Sequence, residues 1–127
     1  MSLSGRNKYH KVWRSFLVGE FNLCISNEIL EEYIEVIGRN LNATVAMYVA
    51  YTIMERRNVR QITPSYHWQL ISTDPDDNKF VDCAIAANAR FLVTEDHHFD
   101  QLKKITFPSV DVIGIDDFLI ELSRKYS

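Results

Sequence analysis

Residues 74–100 read DPDDNKFVDCAIAANARFLVTEDHHFD and hold seven of the chain's seventeen acidic residues. The acids cluster towards both ends of an otherwise largely apolar run. Asp74 suits a helix N-cap and Pro75 the first helical position, so the spacing predicts a helix over about 75–88. RFLVT, at 90–94, is short and almost wholly apolar, as expected of a strand buried on both faces of a parallel sheet. Asp96 follows three residues beyond Val93, at the carboxyl end of that strand, where open α/β sheets gather their functional groups. At about 100° per residue, Asp77 shares a helical stripe with Phe80, Val81, Ala84 and Ile85, so its carboxylate is expected to face inward. An inward acid near a second acid needs a counter-charge. Hard oxygen ligands suit Mg²⁺ or Mn²⁺, and no cluster of bases lies nearby in the sequence. The same acids also complement the free N–H groups and dipole of a helix N-terminus, which is the simpler reading for Asp74.

Outward from this stretch, apolar periodicity predicts helices at about 7–18, 27–38, 42–57 and 116–125, with Ser26 as the N-cap of the second. Strands are predicted at 21–25, 58–62 and 110–115, and a short helical turn around HHFDQL. Strands alternating with helices predict a three-layer α/β/α domain with a mainly parallel central sheet. At 127 residues and 46% hydrophobic content, the chain is expected to form one domain with one real core.

The formal charge of -3 is spread among interspersed acids and bases, which excludes a strong overall attraction to polyanions or anionic membranes. Nucleic-acid binding must then be local. Its candidate is RNKYHKVWR, where Arg6, Lys8, Lys11 and Arg14 are interleaved with Tyr9, His10 and Trp13; the same run also reads as a solvated helix face. Cys24 and Cys83 lack CxxC spacing and sit in apolar runs, which points to reduced thiols and a cytoplasmic location. No apolar run approaches the roughly 20 residues of a membrane span. The adjacent His97 and His98 point to opposite sides and read as surface turn residues, while His10 and His67 have no recognisable partner.

The stretch from Asp74 to Phe99 resembles the carboxyl half of a PIN domain, in the subgroup of toxin components of toxin–antitoxin pairs. The resemblance lies in an Asp at a helix start, an Ala-rich helix, an apolar strand, and then Thr94, Asp96 and Phe99 as a T-x-D followed by an apolar residue. Upstream, ISNEILEEYIEVIGR is similar to the family's strand-to-helix segment, in which a Glu follows. This likeness implies RNA cleavage by Mg²⁺ or Mn²⁺ held on carboxylates. Position by position, it implies Glu32, Asp77 and Asp96 as metal ligands and catalytic acids, with Thr94 supporting the loop and Asp82 in a supporting place on the helix flank. Glu32 has Ile29 and Val36 one turn away. PIN domains open with a buried strand ending in a metal-binding Asp, whereas this chain begins MSLSGRNKYHKVW, so the strand and its acid are expected to be missing. Two readings follow: a PIN-type ribonuclease impaired in this chain, or an incomplete module that binds RNA or a protein partner, such as an antitoxin, without cutting. A gap in the sheet also favours a homodimer.

Overall fold

The computed structural model describes the backbone of residues 5–72 and 74–126. In chain order the elements are α1 (Gly5–Leu17), β1 (Leu23–Ile25), α2 (Asn27–Asn40), α3 (Ala43–Glu55), β2 (Val59–Gln61), a 3₁₀ turn (Pro75–Asp77), α4 (Asn78–Ala87), β3 (Leu92–Val93), a 3₁₀ helix (His97–Lys104), β4 (Val112–Ile113) and α5 (Ile115–Tyr126). The α/β alternation expected from the sequence is present. Ser26 caps α2 by accepting the Ile29 N–H, and Asn42 caps α3 by accepting the Val45 N–H at 2.8 Å. Asn88 ends α4 in the left-handed region at φ 52°, a conformation Asn tolerates, with its N–H returned to the carbonyls of Ala84 and Ile85.

The sheet is parallel, as expected, but divided. β1 pairs with β2 (Leu23 opposite Val59) and β3 with β4 (Leu92 opposite Val112), and among the described residues the two pairs share no ladder. Leu23 donates to Asn58 O and Leu92 to Asp111 O, both at 2.8 Å. A strand alternates its hydrogen-bonding direction, so Cys24 and Val93 turn their backbone groups towards the other, free edges. One expectation is corrected here: RFLVT is not buried on both faces. Leu92 is 8% exposed but Val93, whose side chain points to the opposite face, is 37% exposed.

α4 joins the halves. Its Val81 and Ala84 pack with Ile71, Leu92, Phe99 and Leu102 on the β3–β4 side. Its Cys83 packs with Phe16, Ile25, Ile29 and Ile53 on the β1–β2 side, and Phe80 borders both clusters. Both cysteines are free thiols, and burial pushes the Cys83 thiol up to about 11. Rings continue the second cluster outward, Phe16 lying 6.0 Å from Phe21 and Phe21 meeting Phe118 of α5 edge-on at 5.0 Å. The irregular segment before the 3₁₀ turn is strapped to α4 by side chains: Asn78 both accepts from Ile71 N (2.8 Å) and donates to Ile71 O (3.0 Å), and Asp82 accepts the Trp68 N–H at 3.0 Å.

Since Phe80 touches both clusters, Phe80→Ala is expected to destabilise the protein by about 3 kcal/mol while leaving a single unfolding transition. Tyr48→Ala, on the exposed face of α3, is expected to stay within about 0.5 kcal/mol. Urea denaturation followed by circular dichroism measures both.

Candidate metal centre

Three segments converge at the start of α4. Asp74 begins the 3₁₀ turn and uses Oδ1 to accept the Asp76 N–H at 3.2 Å. Asp77 sits at the joint between that turn and α4, with its side chain only 15% exposed, so the inward orientation expected from the helical stripe is observed. Its Oδ2 is buried and makes no hydrogen bond, the nearest basic atom being His98 Nδ1 at 3.5 Å. Asp96 arrives from the end of β3. The Thr94 hydroxyl accepts the Asp96 N–H at 3.0 Å, and Asp96 Oδ1 in turn accepts the His98 N–H at 2.9 Å, capping the 3₁₀ helix. That cap folds His98 back over the loop, so its Nδ1 also lies 3.3 Å from Asp96 Oδ1.

His98 is a half-exposed turn residue, as expected, and in addition it stands among the carboxylates. The 3₁₀ geometry brings it there, since a Cap-to-N2 hydrogen bond sets the second helical residue beside the capping side chain. His97 does turn away, 94% exposed, towards Asp100. One ligand atom from each of Asp74, Asp77 and His98 lies within 4.8 Å of the others. Two hard oxygens and an imidazole nitrogen are a donor set that fits a divalent cation such as Mn²⁺. Burial is the main cause that raises the Asp77 carboxyl above the ordinary aspartate value; the charges of Asp74 and Asp96 add to it and His98 opposes it.

Glu32 takes another partner. Its carboxylate forms an ion pair with Lys79, a lysine two residues past Asp77 that is only 17% exposed. Burial works against the Lys79 charge, but the hydrogen bond and charge of Glu32 outweigh it and hold Lys79 above the ordinary lysine value. Glu28, Glu31, Glu35 and Asp76 line the same open groove of about 500 Å³. Asp82, 4% exposed, faces away from the cluster into the strap; His67 Nδ1 lies 3.3 Å from its Oδ2, so His67 does have a partner, contrary to expectation. On α1, Lys8 pairs with Asp116 at 3.0 Å, and the exposed Lys11 and Arg14 border a groove against Leu119 and Leu122 of α5; the Arg6 side chain lies outside the described residues. Lys79 carries no signal in a linear reading, because its partner is 47 positions away.

The model of a family described as the PIN domain matches residues 2–98, well over half of the 127-residue chain. No curated protein and no solved structure matches it.

A raised Asp77 pKa has a definite sign. Protonation favours the folded state, so this group's contribution to stability is present at low pH and is lost as pH rises through its folded value. Asp77→Asn is thus expected to keep or raise the metal-free melting temperature at pH 7. Mn²⁺ is expected to stabilise the unaltered protein more at pH 7 than at pH 4.5, and to leave Asp77→Asn unmoved. Thermal unfolding at the two pH values, with and without Mn²⁺, checks each statement.

Proposed function

This chain belongs to the PIN domain family, which includes metal-dependent nucleases, and on that premise we propose that it hydrolyses RNA phosphodiester bonds with Mn²⁺ or Mg²⁺ at the start of α4. The observation that carries this reading is the buried Asp77 oxygen without a hydrogen bond, set among Asp74, Asp96 and His98. Asp77, Asp74 and His98 would hold the ion, with Asp96 fixing the ring of His98. Bound there, the ion supplies an activated water and offsets charge on the phosphate. The nitrogen ligand favours Mn²⁺ over Mg²⁺, whose sites are built from oxygen.

The chain's own residues do the rest. Thr94 holds the loop that carries Asp96. Glu32 joins the proposed ligand set only when it leaves Lys79. Arg6, Lys8, Lys11 and Arg14 are proposed to meet the RNA backbone, and the free edges of β1 and β3 to be covered by a second copy or by a partner protein. Within this family reading the biological role is a cytoplasmic toxin held by an antitoxin.

A second reading, a module that binds RNA or an antitoxin without cutting, has one observation in its favour: Lys79 occupies Glu32. A fluorogenic RNA incubated with Mn²⁺, Mg²⁺ or EDTA separates the two. The nuclease reading expects Mn²⁺-dependent cleavage that falls at least about 100-fold in Asp77→Asn and in Asp96→Asn. Cleavage that survives EDTA or either substitution overturns it; RNA binding with no cleavage leaves the module.

A further inference from the structure

Away from the carboxylates, three aromatic side chains meet at the surface. Tyr66 and Trp68 come from the strap and Phe107 from the loop after the 3₁₀ helix. The Trp68 ring lies 4.6 Å from Tyr66 and meets Phe107 nearly perpendicularly, 88° and 6.3 Å away. They are not core residues: Tyr66 is 62% exposed and Phe107 is 83% exposed. The strap is nevertheless fixed, because the buried Asp82 carboxylate receives the Trp68 N–H and lies beside the His67 ring, while Asn78 holds Ile71 from both sides.

Lysines accompany the rings: Lys103 and Lys104 are exposed at the end of the 3₁₀ helix, shortly before Phe107 in the chain. Lys103 has a partner in Asp100 at 3.4 Å, whereas Lys104 has no ion pair among the described residues. The Met47, Tyr48, Tyr51 and Met54 face of α3 is a larger apolar stripe without this accompaniment, and suits a protein partner better. Open π-faces with flanking cations are instead the features that bind single-stranded nucleic acid: bases stack on the rings and phosphates meet the charges.

The platform is also connected to the metal centre. Along α4, Asp77 serves the centre and Asp82, further on, holds the strap; along the 3₁₀ helix, His98 stands at one end and the lysines at the other. From His98 to Lys104 is a rise of about 12 Å at about 2 Å per 3₁₀ residue, the length of a short run of extended strand. We propose that Tyr66, Trp68 and Phe107 form a stacking platform that holds bases of single-stranded RNA a few nucleotides from the metal centre. The inference rests on the reading of this chain as one that acts on RNA, and it adds the residues that would hold the bases, which in a duplex are not available to stack on side chains.

Trp13 and Trp68 are the two tryptophans, so Trp13→Phe leaves Trp68 as the reporter. In EDTA at low salt, an eight-nucleotide oligouridylate is expected to quench Trp68 fluorescence. Phe107→Ala and Tyr66→Ala, with unchanged circular dichroism, are each expected to weaken the binding at least about fivefold. An abasic strand of equal length is expected not to quench. If Trp13→Phe does not fold, the unaltered chain labelled with 5-fluorotryptophan gives two fluorine signals, of which the Trp68 signal alone should shift with RNA. Absence of any RNA effect on Trp68 overturns the platform, even where Mn²⁺-dependent cleavage stands. Equal response to the abasic strand overturns it as well, as does a concentration-dependent Trp68 change without RNA, which marks a protein contact. An RNA effect lost in Phe107→Ala supports it, even where Mn²⁺ neither binds nor promotes cleavage.

Discussion

The packing of one ten-residue helix against two strand pairs that share no ladder among the described residues is what the rest of the molecule depends on. A continuous sheet propagates order from strand to strand through its ladder; here that path is interrupted between β1 and β3, and apolar contact across α4 replaces it. The demand explains why α4 buries residues on more than one side. Val81 is wholly buried in one cluster, Cys83 is 2% exposed in the other, and Ala84 is small enough to let the helix sit close. Its polar positions are equally committed: Asn78 and Asp82 hold the strap, Lys79 holds Glu32, and Asp77 anchors the carboxylate cluster.

Burial also decides which charges matter. Lys8 and Asp116 lie 3.0 Å apart but Asp116 is 69% exposed, so their pair contributes little, on the order of 0–1 kcal/mol. Asp77 is different. Water is largely removed from its carboxylate while Asp74 and Asp96 add like charge, so its carboxyl is held above the ordinary aspartate value and its ionised form opposes folding. Lys79 supplies a cation only to Glu32, and His98 only partly offsets the raised Asp77 value. The site is thus an electrostatic cost that the packing of α4 has to support.

What could be read from the sequence was local. Ser26 at its cap, Pro75 after Asp74, the Asp77 stripe and the strand–helix alternation all follow from neighbours a few residues apart, and the structure realises each of them. What escaped reading was tertiary, or depended on helix type. The division of the sheet, the exposure of Val93, and the Lys79–Glu32 and His67–Asp82 contacts join residues far apart in the chain. The adjacent histidines do point to different sides, but which of them meets the carboxylates is not legible in the sequence, because it depends on the cap. Asp96 makes that cap, and only the geometry of the turn selects His98 rather than His97.

The distribution of charge around the centre restricts how a polyanion can reach it. On the α2 side, Glu28, Glu31, Glu35 and Asp76 line the groove, with Arg39 and Lys79 already engaged by Glu35 and Glu32. An RNA strand laid there would meet like charge at each step, and a net charge of -3 offers no long-range attraction to compensate. Along the 3₁₀ helix the order is reversed, from Asp96 and His98 at one end to Lys103 and Lys104 at the other, with the aromatic rings beyond. A strand entering from that end would have cations and stacking surfaces ahead of it before it reached the carboxylates. The acidic groove would then act as a wall that sets the strand's direction, and the same α4 that closes the divided sheet would align the strap and the metal centre along one approach.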